Sequence, residues 1–304
     1  MNLLNKVLDN SIIFSFDVNG FNRHAKQFEN TDLDSSLNGQ AALITGANSG
    51  IGFATATELM RKGCHVVMVS RNEERANIAA QSLKELAPEG SVEFRIADIS
   101  NLETVAKLAG TNLPALSILI HNAGDMLENL QRTNEGHETI TATHVLGPFL
   151  LTMELRKRGL IQGSEEKPTR IIFVSSGGMY SQPLHVDTLK VPDEPYDGMV
   201  HYAQTKRAQV VLAQAMHEKL KAKYIHCFSM HPGWVDTPAV RRAMPGFYRA
   251  TRRILRNPDQ GADTIIWLSV APISKLKPNG GFYFDREVAP IHLLNKTQRL
   301  GDEA

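Results

Sequence analysis

Cysteine is scarce. Cys64 and Cys227 are the only two in 304 residues, too few for a disulfide framework and spaced for no zinc pattern. Both read as reduced core thiols in a cytosol-like compartment. The 11 histidines are scattered, and no His-x-x-x-His or Cys-x-x-Cys pair offers a metal site, so none is expected. Excess charge of either sign is also missing: 33 Lys and Arg stand against 32 Asp and Glu. That balance leaves no basic field for nucleic acid and no acidic tail for basic partners. No apolar run approaches the length of a membrane span, and Ser11 to Phe16 is too short and poorly flanked for a secretory signal. A non-secreted, cytoplasmic chain remains, 42% hydrophobic, able to bury a sizeable core without staples and suited to a small-molecule role.

The stretch Gln40 to Gly52, QAALITGANSGIG, organises that chain. Ala41 to Ile44 has the length and apolarity of a strand buried on both faces, and Ala54, Leu59 and Met60 begin an apolar face at helical spacing. At a strand–glycine–helix junction the first helical N–H groups lack internal partners and lie at the positive end of the helix dipole. Such a turn binds phosphate. Gly46, Gly50 and Gly52 let the backbone turn tightly and approach a pyrophosphate closely. No Lys-Ser/Thr follows, which excludes the P-loop pattern of nucleoside triphosphatases.

Strand and helix patterns then alternate. Lys62-Gly63 stops the first helix, and His65 to Val69 reads as a second buried strand ending at Ser70-Arg71. In a dinucleotide fold a carboxylate at that end binds the adenosine ribose, whereas an arginine accommodates a 2′-phosphate; Arg71 therefore favours NADP(H) over NAD(H). A helix over Glu73 to Leu86, a strand over Val92 to Ala97 and a helix after Ser100 follow, the last with Ser100 and Glu103 fitting a capping box. Further strands are expected at Leu116 to Ile120, Arg170 to Val174, up to His231, and Gly281 to Asp285, with a long helix from His137 to Arg158. Asn257-Pro258 marks the start of another helix.

Tyr202 and Lys206 lie four apart in a helical stretch and share one face. A lysine cation near a phenol favours the phenolate, which suits Tyr202 to exchange a proton with an alcohol or carbonyl oxygen. Hydride transfer to a carbonyl leaves charge on that oxygen, and Ser176, at the end of the Arg170 to Val174 strand, is the candidate second donor; Ser175 reads as structural.

Four motifs in this order, the glycine turn, His121-Asn122-Ala123-Gly124, the serine pair and Tyr-x-x-x-Lys, resemble the short-chain dehydrogenase/reductase family. The long connection from Met179 to Val200 and the segments SMHPGW, AMPGFY and GGFYFDR are similar to its retinol-dehydrogenase-like branch. The resemblance implies catalysis by Ser176, Tyr202 and Lys206. It also implies cofactor contacts from Gly46, Asn48, Ser49, Gly50, Ile51, Gly52, Arg71, Asn122, Ala123, Gly124, Tyr202 and Lys206. Asp98 would reach the adenine, and Pro232, Gly233 and Thr237 the nicotinamide side. His144 stands where the family has an asparagine that positions the lysine, and it either substitutes in that relay or simply satisfies a core hydrogen bond.

The expected architecture is one doubly wound Rossmann-type α/β domain over residues 39–290, a parallel sheet of about seven strands with helices on both faces. Residues 238–256, with Met244, Phe247 and Tyr248 among arginines, suit a lid over an apolar substrate. Residues 1–38 form an N-terminal arm, in which Leu3, Leu4, Val7 and Leu8 give a short amphipathic helix. The arm packs across its own domain or a partner subunit, or lies on a membrane surface. Residues 291–304 are a tail. The function expected is an NADP(H)-dependent oxidoreductase for an alcohol or carbonyl substrate, with an NADP(H)-binding sensor or scaffold as the alternative.

Overall fold

The computed structural model describes residues 12–184, 195–276 and 280–298. Its sheet contains β1 (Ala41–Thr45), β2 (His65–Ser70), β3 (Ser91–Ile96), β4 (Ile118–His121), β5 (Thr169–Val174), β6 (Ile225–Met230), β7 (Phe282–Phe284) and β8 (Glu287–Val288). The spatial order is β3-β2-β1-β4-β5-β6-β7-β8, parallel except for the last pair. Two helices open the described chain, α1 (Ile12–Phe16) and α2 (Val18–His24). Between strands come α3 (Gly50–Arg61), α4 (Glu73–Leu86), α5 (Leu102–Ala109), α6 (Gly147–Lys157) and α7 (Gly198–Leu220). After β6 the chain forms α8 (Pro238–Ala243), α9 (Pro245–Thr251) and α10 (Pro258–Val270).

Side chains alternate across a strand, and here both directions are apolar. Ala42 and Ile44 of β1, with Val66 and Met68 of β2, join Leu59, Met60 and Leu83 from α3 and α4 and Ile265 and Leu268 from α10 in one core. Ala41 and Leu43, with Val67 and Val69, meet Val105 and Leu108 of α5, Leu151 and Leu155 of α6, and Met216 of α7 in the other. The continuous apolar runs are therefore the signature of strands covered on both faces. Among the described residues no helix is long and apolar enough to cross a membrane.

Four expectations need correction. First, the sheet has an added eighth strand, because Asp285 and Arg286 adopt left-handed backbone angles, φ 47° and 63°, and reverse the chain in a hairpin whose twist suits antiparallel pairing. Second, α5 is capped by Asn101, whose side chain accepts from the Thr104 N–H at 2.9 Å. Ser100 instead donates to Asp98 at 2.8 Å, so the nearer carboxylate wins it from the capping box. Third, the helix expected from His137 starts at Thr139 and is not α-helical throughout: an α-helical turn, Thr139–Thr141, passes into a π-helical turn, Ala142–Leu146, which runs directly into α6. Fourth, residues 291–298 do not simply trail away; Ile291 packs against the cluster containing Phe16 and Tyr180. The expected amphipathic helix at Leu3 to Leu8 lies outside the described residues, whereas residues 12–33 pack across their own domain.

Leu83 is fully buried between α4 and the sheet. Leu83→Ala should lower unfolding free energy by about 2–5 kcal/mol, read by urea denaturation; a loss below measurement error would contradict this packing.

Candidate active site

The sheet order reverses between β1 and β4, so the crevice at the carboxyl ends of these strands is where a ligand fits. Gly46 and Gly50, at φ 69° and 56°, turn the chain from β1 into α3 in a conformation that a side chain would strain. The start of α3 differs from its neighbours. Asn72, Asn101 and Asn257 cap α4, α5 and α10 with their side chains, whereas Ser49 makes no such bond at α3. The first N–H groups of α3 thus keep their capacity for an acceptor supplied by a ligand, which fits a pyrophosphate.

Asn122 fixes this turn to β4. Its Nδ2 donates to the Thr45 and Gly46 carbonyls at 2.9 and 3.1 Å, and the Asn122 and Ala123 N–H groups both donate to Thr45 Oγ1 at 3.0 Å. A side chain at Gly52 would come within 2.5 Å of Asn122 Nδ2, so the third glycine serves this close approach.

A cleft of about 880 Å³ runs along these ends. Its lining includes Gly46, Asn48, Ser49, Gly50, Ile51, Gly52, Arg71, Asp98, Asn122, Ala123 and Gly124. Ser176, Tyr202, Lys206, Pro232, Gly233 and Thr237 line the same cleft, so residues scattered through the sequence converge there. His144 is not part of the lining and lies behind it. The segment expected as a lid contains the helices α8 and α9; Val240, Met244 and Phe247 from this segment line the cleft.

The Ser176 hydroxyl lies near the Tyr202 phenol and favours its charged form, against the effect of burial. Ser176 Oγ also accepts from the Gly178 N–H at 3.2 Å, which leaves its proton available to another acceptor. Ser175 is structural: it donates to the Lys206 carbonyl at 2.7 Å. Lys206 Nζ donates to the Val174 carbonyl at 2.9 Å and to Gln209 Oε1 at 3.0 Å, and it stands 5.7 Å from the centre of the Tyr202 ring.

The expected electrostatics are corrected here. Burial lowers Lys206 to about 7, so it is not a full cation at neutral pH. Burial also raises the Tyr202 phenol, with the Ser176 hydroxyl opposing and the Asp125 charge adding to the shift. Desolvation is the largest influence on both groups, and Tyr202 holds its proton.

His144 is completely buried. Its Nε2 accepts from the Asp125 N–H at 3.3 Å, which places the ring proton on Nδ1, 2.9 Å from Thr205 Oγ1. Thr205 in turn donates to the Tyr202 carbonyl at 2.9 Å. Burial above all, with the electrostatic influence of Lys206 and His201 acting the same way, lowers the His144 pKa and favours its neutral form. Its ring meets Tyr202 edge to face at 5.5 Å, and a side chain at Gly124 would press on both His144 Nε2 and Lys206 Nζ at 3.0 and 3.3 Å.

A family model for short chain dehydrogenase matches residues 40–246. The chain belongs to this family. It is an NAD(P)-dependent oxidoreductase. Dehydrogenase/reductase SDR family member 12 of Bos taurus is 39% identical over 90% of this chain and 85% of its own length. Human retinol dehydrogenase 11 is 30% identical over 75% and 72%, respectively. A solved structure of an uncharacterised Mycobacterium paratuberculosis protein superposes with a TM-score of 0.65 at 27% identity, covering 82% of this chain and 81% of that one.

Three features escaped sequence reasoning. Asp125 binds Arg71 at 3.3 Å and Arg242 of α8 at 2.7 Å, which ties α8 to the end of β2; its only sequence signal is its place directly after Gly124. Glu138 and His201 form a buried pair at 2.8 Å, 63 residues apart, beside the turn carrying His144 and next to Tyr202. Burial alone would raise the Glu138 carboxyl, but His201 and the Ile140 and Thr141 N–H groups hold it below its ordinary value. Gln209, one turn beyond Lys206, reads in sequence as an ordinary helix residue.

The Lys206 shift fixes a pH dependence. Between about 7 and the ordinary 10.5 the unfolded chain binds the proton that the folded chain has lost, so this group's contribution makes stability rise with pH. Wild type should gain stability relative to Lys206→Met from pH ~7 to ~10 in urea titrations; a constant difference would contradict the buried, depressed amine.

Proposed function

We propose that the protein interconverts an alcohol and its carbonyl on an apolar substrate, using NADP(H). The observation that carries this reading is the convergence of Ser176, Tyr202 and Lys206 on the wall of the same cleft as the glycine turn, with the Tyr202 phenol kept protonated by burial. When bound, the nicotinamide supplies hydride to the carbonyl carbon or accepts it from the alcohol. In the reductive direction Tyr202 delivers its proton to the carbonyl oxygen, and Ser176 Oγ–H donates a hydrogen bond that stabilises the charge developing there. Two donors of a protonated Lys206 are used by Val174 and Gln209, and the third is assigned to the nicotinamide ribose. His144 acts as a positioning residue through Thr205 and the Tyr202 backbone.

Apolar substrate preference is supported by Met126, Leu127, Met199, Val240, Met244 and Phe247 along the cleft. Arg71 supports the 2′-phosphate: among the described residues Asp125 is its one carboxylate partner, and its side chain is 65% exposed, leaving it free to exchange that partner for a phosphate. A cofactor-binding sensor with little turnover is the second reading, favoured by His144, whose two ring nitrogens are committed to internal hydrogen bonds.

NADPH fluorescence with a panel of carbonyls and alcohols tests these readings. Tyr202→Phe should keep NADPH affinity while turnover falls ~10²-fold or more; binding without turnover by the wild type on every substrate would favour the sensor. Arg71→Ala should weaken NADPH on the order of tenfold and NADH far less. Asp125→Asn, which frees both arginines, should tighten NADPH in the same titration, and equal or weaker binding would contradict competition between carboxylate and phosphate.

A further inference from the structure

The N-terminal arm reaches the cleft from behind. Arg256, which follows the lid, is fully buried and holds Asp285 through two nitrogens at 2.5 and 2.8 Å. It also donates to the Ser15 and Phe16 carbonyls, both at 3.0 Å. The Phe16 carbonyl receives a second donor, the Trp234 N–H at 2.8 Å, and the Trp234 carbonyl accepts from the Arg256 N–H at 2.7 Å. The arm, the Pro232–Trp234 turn and the end of the lid are thus joined in one hydrogen-bonded knot.

The Phe16 ring completes it. It lies 4.5 Å from the ring of His231 and 5.2 Å from that of Phe284, and it covers the backbone of Gly177, where any side chain would collide with it. At Gly233 a side chain would collide with the Arg256 guanidinium and approach the Phe16 carbonyl. Gly177 directly follows Ser176, and Gly233 lines the cleft. The arm therefore touches the rear of both turns that face the reacting groups. Phe16 belongs to a cluster with Met179, Tyr180, Val210 and Phe282, separate from the two cores that hold the sheet.

We propose that residues 15–17 are a built-in part of the catalytic centre, with Phe16 and Arg256 as positioning residues that set the Ser176–Gly177 turn against the Pro232–Trp234 turn. The meaning for catalysis rests on the oxidoreductase reading of the cleft; the mechanical coupling does not. Two loops leaving adjacent strands have few backbone bonds of their own, and a shared buried guanidinium and ring hold them to one spacing. Without the arm, the Trp234 N–H and part of the Arg256 guanidinium lose their acceptors, which buried donors do not tolerate.

Hydrogen exchange on full-length Phe16→Ala tests this, with Leu83→Ala as a comparison that weakens a sheet core instead. In Phe16→Ala, segments 175–181 and 231–237 should exchange on the order of tenfold faster, while 41–45 and 118–121 keep wild-type rates. NADPH affinity should fall several-fold in Phe16→Ala and stay unchanged in Leu83→Ala. If Phe16→Ala does not fold, Phe16→Leu carries the same comparison with a smaller expected change. Uniform acceleration across all four segments, as a core lesion gives, or wild-type rates at both turns would overturn the proposal. Failure of the wild type to bind NADPH would instead remove the cofactor reading, while the exchange pattern would still decide the coupling.

Discussion

Thr45 and Asn122 hold the structure's decisive joint. β1 and β4 are neighbours whose following chains depart to opposite sides of the sheet, and divergence alone would leave a gap with frayed ends. One hydroxyl accepting two backbone N–H groups and one amide donating to two carbonyls close that joint. The glycine turn is thereby fixed on one side of the crevice and Gly124 on the other. A side chain at Gly124 would press on His144 and Lys206, which stand directly behind it. The position of the lysine follows from the way two strands are tied.

Burial then determines protonation. Lys206, His144 and Tyr202 are each driven toward their neutral forms, by desolvation as the largest cause in every case. Within this set a lysine four residues from a tyrosine does not create a phenolate; it provides an amine titrating near neutrality beside a phenol that retains its proton. Asp125 adds negative charge near the phenol and reinforces the same state. The carboxylate that raises Tyr202 also holds Arg71 and Arg242, so the charge pattern at the cleft mouth and the proton on the acid belong to one electrostatic system.

The arm and the lid extend this logic outward. Buried Arg256 links Asp285, which sits in a left-handed turn, to backbone carbonyls of residues 15–17. An uncompensated guanidinium would be costly there, and the ion pair with its surrounding acceptors satisfies it. His24 adds a further contact to the same carboxylate at 2.6 Å. The segment before β1 therefore contributes to the back of the cleft.

The sequence by itself determined the doubly wound sheet, because continuous apolar runs such as Leu43-Ile44 and Val66-Val67 can be satisfied only by cover on both faces. It also determined the glycine turn and the shared face of Tyr202 and Lys206, since glycine spacing and helical periodicity are local properties. Only the tertiary structure decided that Asn101 rather than Ser100 caps α5, that the chain doubles back after Phe284, and that residues 142–146 form a π turn placing His144 against Tyr202. It alone brought Asp125 between two arginines, paired Glu138 with His201, and set Phe16 behind Gly177. The physical reason is range: backbone conformation and apolar periodicity are written in neighbouring residues, whereas desolvation and buried hydrogen-bond pairing depend on what distant segments bring to the same few ångströms.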